Sequence, residues 1–189
     1  EKTREIGKEI GFTIHNKPES QEICFIPDGN YHQLLKERVA EEIKPGFIVD
    51  NRGKILGEHK STLFFTIGQR KGLGIAQGYP LYVTAIDKEK NIITVGTKEE
   101  TFQDQLVASK INWISTEKPR FPLTVMAKIR HKHKETEAVV YPLPNERVSV
   151  RFKKPQPAIT PGQAVVFYDN DIVIGGGWID KVQNHPFDQ

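Results

Sequence analysis

Hydrophobic and polar positions alternate with a period of two over much of the second half of this chain. Leu123, Val125, Ala127 and Ile129 interleave with Thr124, Met126, Lys128 and Arg130, and Val148, Val150 and Phe152 interleave with Arg147, Ser149, Arg151 and Lys153. Successive side chains of a strand point to opposite faces, so the pattern predicts half-buried strands with basic residues on the outer face. Further strands are expected over residues 136–141, 163–168 and 172–179, with turns at Pro144-Asn145 and Asp169-Asn170-Asp171. From near Leu106 onward this makes about six antiparallel strands, and closing them into a barrel leaves no exposed edge. Trp113 and Trp178 are expected to fill the barrel core, or to stack on a base if exposed.

The first half reads differently. Ile6 and Ile10 lie one turn apart in a helical stretch over residues 1–10, and Gly11 is placed to end it. No initiator Met or capping residue precedes that turn, so the chain reads as the C-terminal part of something longer. The apolar run Ile23-Cys24-Phe25-Ile26, bounded by Pro18 and by Pro27-Asp28-Gly29-Asn30, predicts a short buried strand entering a turn. Tyr31, Leu34, Leu35, Val39 and Ile43 fall on one face of a helix that Pro45-Gly46 ends. Beyond it come a hairpin around Asn51-Arg52-Gly53, a strand over 62–67, and strands over 81–86 and 91–95 joined by a charged turn at 87–90. The expected fold is mainly β with a minor helical part: a segment over residues 1–30, a small α+β central domain over 31–104, and an antiparallel β-barrel over 105–189.

Composition narrows the function classes. The chain has 189 residues, 37% of them hydrophobic, which suits one or two folded domains with a real core. No apolar run approaches the length of a membrane span and no signal pattern opens the chain, so no membrane partner is expected and the expected compartment is the cytoplasm. A single cysteine cannot form an intrachain disulfide. The net charge of +3 is unevenly spread: residues 120–154 hold nine Lys or Arg against three Glu, an excess that a polyanion can use.

Three stretches carry candidate chemistry. Cys24 is either a small core hydrophobe or a nucleophile presented at a strand end. With a reference pKa of about 8.5, roughly 3% of a free thiol is thiolate at pH 7, so a reactive site would need positive charge or donors nearby. Lys17 is a candidate for that charge, while Glu22 would act against it. Gly68-Gln69-Arg70-Lys71-Gly72-Leu73-Gly74 sets two cations in a glycine loop, suited to phosphate contact or simply a turn with solvated charges. It lacks the strand-to-helix context of a nucleotide fingerprint. Arg130-His131-Lys132-His133-Lys134 offers two histidines, too few for zinc without further ligands, so no metal is expected and a basic surface is the preferred reading.

Four segments together resemble the tRNA-specific 2-thiouridylases of bacteria: residues 16–27 around Cys24, Phe65-Thr66-Ile67-Gly68-Gln69-Arg70-Lys71-Gly72-Leu73-Gly74-Ile75, the stretch from Ile159 to Tyr168, and Gly175-Gly176-Gly177-Trp178-Ile179. The resemblance implies an RNA-modifying sulfurtransferase with a C-terminal barrel similar to the second domain of translation elongation factors. It implies that Cys24 carries sulfur as a persulfide, delivered by a cysteine desulfurase or a relay protein. It further implies that tRNA lies against the Gln69, Arg70 and Lys71 loop and against the barrel near Arg130 and Lys132. ATP and magnesium belong, by the same resemblance, to a nucleotide-binding domain with its own phosphate loop and first cysteine, neither found in these residues; this chain alone should then be inactive and hold no cofactor. The sequence departs from the family at Ser61, commonly glycine, at Phe65, commonly tyrosine, and after Arg130, where an Arg-Tyr-Arg-Gln-like stretch is usual. A non-catalytic RNA-binding module and a barrel that docks on a sulfur carrier stay open as alternatives.

Overall fold

A computed structural model describes residues 2–16, 38–39, 43–115, 117, 119–120, 122–131 and 133–183. The chain divides into two units, residues 1–42 and 43–189. In the first, helix α1 (Lys2–Glu9) is followed by a 3-10 turn at Thr13–Asn16. Gly11 ends the helix as expected: at φ +80° it donates to Lys8 O at 3.1 Å while Phe12 N donates to Gly7 O at 2.8 Å, the paired bonds of a Schellman stop. Cys24, the strand expected around it, and nearly all of the helix expected after Asn30 lie outside the described residues.

The second unit begins with a small mixed sheet of β1 (Gly46–Val49), β2 (Ile55–His59), β3 (Tyr82–Asp87) and β4 (Ile92–Gly96), in the order β2-β1-β4-β3. Both expected hairpins form. Asp50 Oδ1 accepts from the amides of Arg52 and Lys54, each at 2.9 Å, and closes the first; Asp87 Oδ1 accepts from Lys90 N at 2.9 Å in the second. The two hairpins join through a parallel pairing of β1 with β4. Ile48, Leu73, Leu81, Val83, Ile93 and Val95 form the core of this sheet. The strand expected over residues 62–67 is corrected to a 3-10 turn, Thr62–Phe64, followed by loop. Ser61 decides the difference locally, because its side chain accepts from Leu63 N at 3.2 Å and starts a turn where β-branched and aromatic composition suggested a strand.

His59 is buried at the end of β2, its Nε2 3.2 Å from Asn91 O and its ring edge-on to Phe65 at 5.7 Å. Burial lowers its pKa below the usual imidazole value, with the Asn91 contact acting in the opposite sense. The unfolded chain therefore binds a proton here more readily than the folded one, and stability rises with pH as the unfolded histidine titrates near 6.5. The contribution is complete above that range and is lost on acidification. Melting curves from pH 7.5 down to pH 5 should show a falling midpoint, and His59→Gln should flatten that dependence; His133, also lowered chiefly by burial, contributes a remaining slope of the same sign.

The barrel follows, built from β5 (Phe102–Trp113), β6 (Leu123–Lys128), β7 (Thr136–Leu143), β8 (Arg147–Pro157), β9 (Ala164–Asp169) and β10 (Ile172–Gln183). It closes in the order β10-β5-β8-β7-β6-β9, with every neighbouring pair antiparallel. The alternation read from the sequence is the alternation of inner and outer faces: Val125, Ala127, Ala138, Val140, Val150 and Phe167 are all buried. Trp113 packs against this core, stacked on Phe167 at 6.0 Å. Trp178 does not. A register shift between Gly176 and Trp178 in the pairing with β5 goes with an indole on the outer wall, 53% exposed, so its expected place in the core is corrected. Among the described residues no helix is long and apolar enough to cross a membrane.

Candidate nucleic-acid interface

The loop over residues 65–75 leaves the 3-10 turn and passes beside the start of β3. Gly68 N donates to Val83 O at 2.8 Å and Val83 N to Gln69 O at 3.0 Å, which ties the loop to the sheet by two backbone bonds. Gln69 then uses both ends of its amide internally: Oε1 accepts from Thr66 N and Nε2 donates to Lys71 O, each at 3.0 Å. Leu73 anchors the far side in the sheet core. Arg70 and Lys71 are left exposed at the tip, with no ion-pair partner among the described residues. The result is a braced loop presenting two free cations, the arrangement expected of a phosphate contact. Gln69 belongs to the bracing.

Gly68 also meets the barrel. A Cβ on it would lie 2.5 Å from Ala158 Cβ, and its φ of +82° independently favours glycine. Ala158, itself at φ +50°, donates its amide to Thr101 O at 2.8 Å, and its carbonyl accepts from Arg130 Nη2. The same nitrogen lies 3.2 Å from Pro157 O. Arg130 was expected as an outward strand residue; β6 ends at Lys128, and the Arg130 guanidinium turns instead to these carbonyls, half-buried. Burial lowers its pKa below the ordinary guanidinium value, without removing its charge near neutrality. This arginine thus braces the junction between loop and barrel through the Pro157–Ala158 backbone.

Cys24 and Lys132 lie outside the described residues. Among those described, no three His, Cys, Asp or Glu side chains come together as a metal site. One residue at the loop had no signal in the sequence pattern: Tyr79, 58% exposed, which lines a depression of about 330 Å³ together with Arg70, Gly72 and Pro80. An aromatic beside a free cation suits a nucleotide, and only the return of the chain at residues 78–81 brings the two near each other.

Two family models match the chain, one described as a tRNA methyl transferase PRC-barrel domain over residues 32–97 and one as an aminomethyltransferase beta-barrel domain over residues 103–179. Among curated proteins it is similar to the tRNA-specific 2-thiouridylase MnmA of Halothermothrix orenii, 50% identical over 181 residues, which is 96% of this chain and 51% of that protein. The proteins of the same name from Acetivibrio thermocellus, 50% identical over 95% of this chain and 50% of the relative, and from Clostridium beijerinckii, 48% identical over 96% and 51%, match in the same way. The chain spans about half the length of the curated relatives it matches.

Proposed function

The chain belongs to the tRNA-specific 2-thiouridylase family, and from that we propose that it takes part in 2-thiolation of the wobble uridine of tRNA. Identity of 50% across 96% of its residues carries this reading. Its contributions are a sulfur-carrying Cys24 and a surface that holds the RNA. The Cys24 thiolate attacks the outer sulfur of a donor persulfide; a new S–S bond forms on Cys24 while the donor leaves as a thiolate. The terminal sulfur of the resulting persulfide is the nucleophile for C2 of the uridine. Activation of the uridine oxygen with ATP and magnesium, and the first cysteine, which releases the thiolated base by forming a disulfide with Cys24, are assigned to a domain outside these residues.

The test is the intact mass of this chain after incubation with a cysteine desulfurase and cysteine. Addition of one sulfur atom, removed by reductant and absent in Cys24→Ser, supports the reading. A folded chain with an accessible thiol that gains nothing from the desulfurase or from a relay protein overturns the sulfur-carrying role. The RNA-holding role has its own check. Charge reversal of both Arg70 and Lys71 to Glu should weaken tRNA binding and lower the slope of log affinity against log salt by about 1.5, the share of two phosphate contacts. Unchanged affinity and slope would remove the loop from the interface.

A further inference from the structure

The outer wall of the barrel carries a second feature that the loop does not account for. Lys128 on β6 pairs with Val166 on β9, and Val166 pairs in turn with Gly176 on β10. One step along, Ala164 pairs with Trp178. The outward row across these strands therefore runs from a lysine over a small apolar floor to a glycine, and the indole of Trp178 rises beside it. The result is a groove of about 580 Å³, lined by Lys128, His131, Gln163, Ala164, Tyr168 and Trp178 among others. Among the described residues, no acidic side chain lines it. Two lining residues each hold a buried atom without a hydrogen-bond partner, Gln163 Oε1 and Arg130 Nε.

Resting on the RNA reading above, we infer that this groove is a nucleotide subsite that takes one unstacked base of the bound RNA. The base lies against the Trp178 indole, and the adjoining phosphate is met by Lys128. Two observations converge on a nucleotide: an exposed flat aromatic, and a cation lining the same groove. An acidic peptide would satisfy the lysine but gives no use to the indole face. The place is separate from the Arg70–Lys71 loop, so the barrel holds the RNA at a second point.

Tryptophan emission tests this directly, because the two indoles differ in place. In Trp113→Phe, where Trp178 is the sole tryptophan, titration with unmodified tRNA is expected to quench emission along the binding curve, and Trp178→Phe should show no such quenching. The difference between the unsubstituted chain and Trp178→Phe gives the same reading without relying on the Trp113 variant. Trp178→Ala, on an exposed wall position, should weaken tRNA binding about 5- to 100-fold with an unchanged salt slope, the range expected for one stacked base. Lys128→Gln should lower that slope by about 0.7 to 0.9 and keep the quenching. If tRNA binds, and reversal of Arg70 and Lys71 weakens it, while Trp178→Ala and Trp178 emission show no change, the groove is not a nucleotide subsite and the RNA reading stands. If the folded chain binds no tRNA at low salt, both fall.

Discussion

Alanine at Gly176 and Gly177 together is expected to prevent the barrel from closing. β10 runs between β9 and β5, and at these residues both neighbours approach the backbone. A Cβ on Gly176 would lie 2.6 Å from Val165 O, and one on Gly177 would lie 2.5 Å from Ser109 O, with Ile111 also in the way. Both oxygens belong to backbone, which cannot swing aside as a side-chain tip does. Overpacking of this kind costs about 1–3 kcal/mol at a single site, and here the two clashes push β10 away from opposite partners. Each single variant should lower the urea midpoint measurably. The double variant should show loss of the cooperative barrel transition and of Trp178 placement, and a native-like midpoint in it would show that the sheet yields at this point.

Phe167→Ala should lower stability by about 3–5 kcal/mol, the largest effect of a single core truncation among the described residues. Phe167 is fully buried, packs among the inward residues of all the surrounding strands, and stacks on Trp113. Its removal leaves a cavity that closed strands cannot collapse into, since each is held on both edges. In a protein of this size the melting midpoint should fall by about 10 °C. Phe47→Ala is the matched control: Phe47 is 45% exposed on the small sheet and should change the midpoint little. Equal losses in the two variants would mean that the barrel core is not the seat of stability.

Much of the barrel is legible in the chain because each strand is half-buried and writes its two faces as an alternation. β6 and β9 follow that pattern within a residue or two of the expected bounds, and β8 starts at Arg147 as expected but runs four residues past Lys153, to Pro157. The failures have physical causes. The parallel pairing of β1 with β4 joins two locally complete hairpins, and neither hairpin's sequence encodes which edge the other will use. Residues 62–67 have strand composition, but one serine side chain diverts the backbone into a turn. Trp178 follows three glycines whose close contacts shift the register, so counting by twos assigns it the wrong face. Of the candidate residues, Arg70 and Lys71 stand at the tip of their loop as exposed cations, a property the flanking glycines suggest. Gln69 and Arg130 instead spend their hydrogen bonds on backbone, which sequence pattern does not reveal, since a polar side chain reads the same whether it faces solvent or an orphan carbonyl.

The route by which the barrel closes has a consequence for synthesis. β10 is the last of the six strands in chain order, yet it alone covers the open edges of both β5 and β9. A ribosome that has released β5 through β9 holds a curled five-stranded sheet with two unpaired edges and an apolar inner face. At about 5–20 residues per second that interval lasts on the order of a second, long enough for edge-to-edge association with another nascent chain. A pause after β9 has emerged from the ribosome but before residues 172–183 have should therefore raise the yield of aggregated protein, whereas a pause before β5 emerges should not.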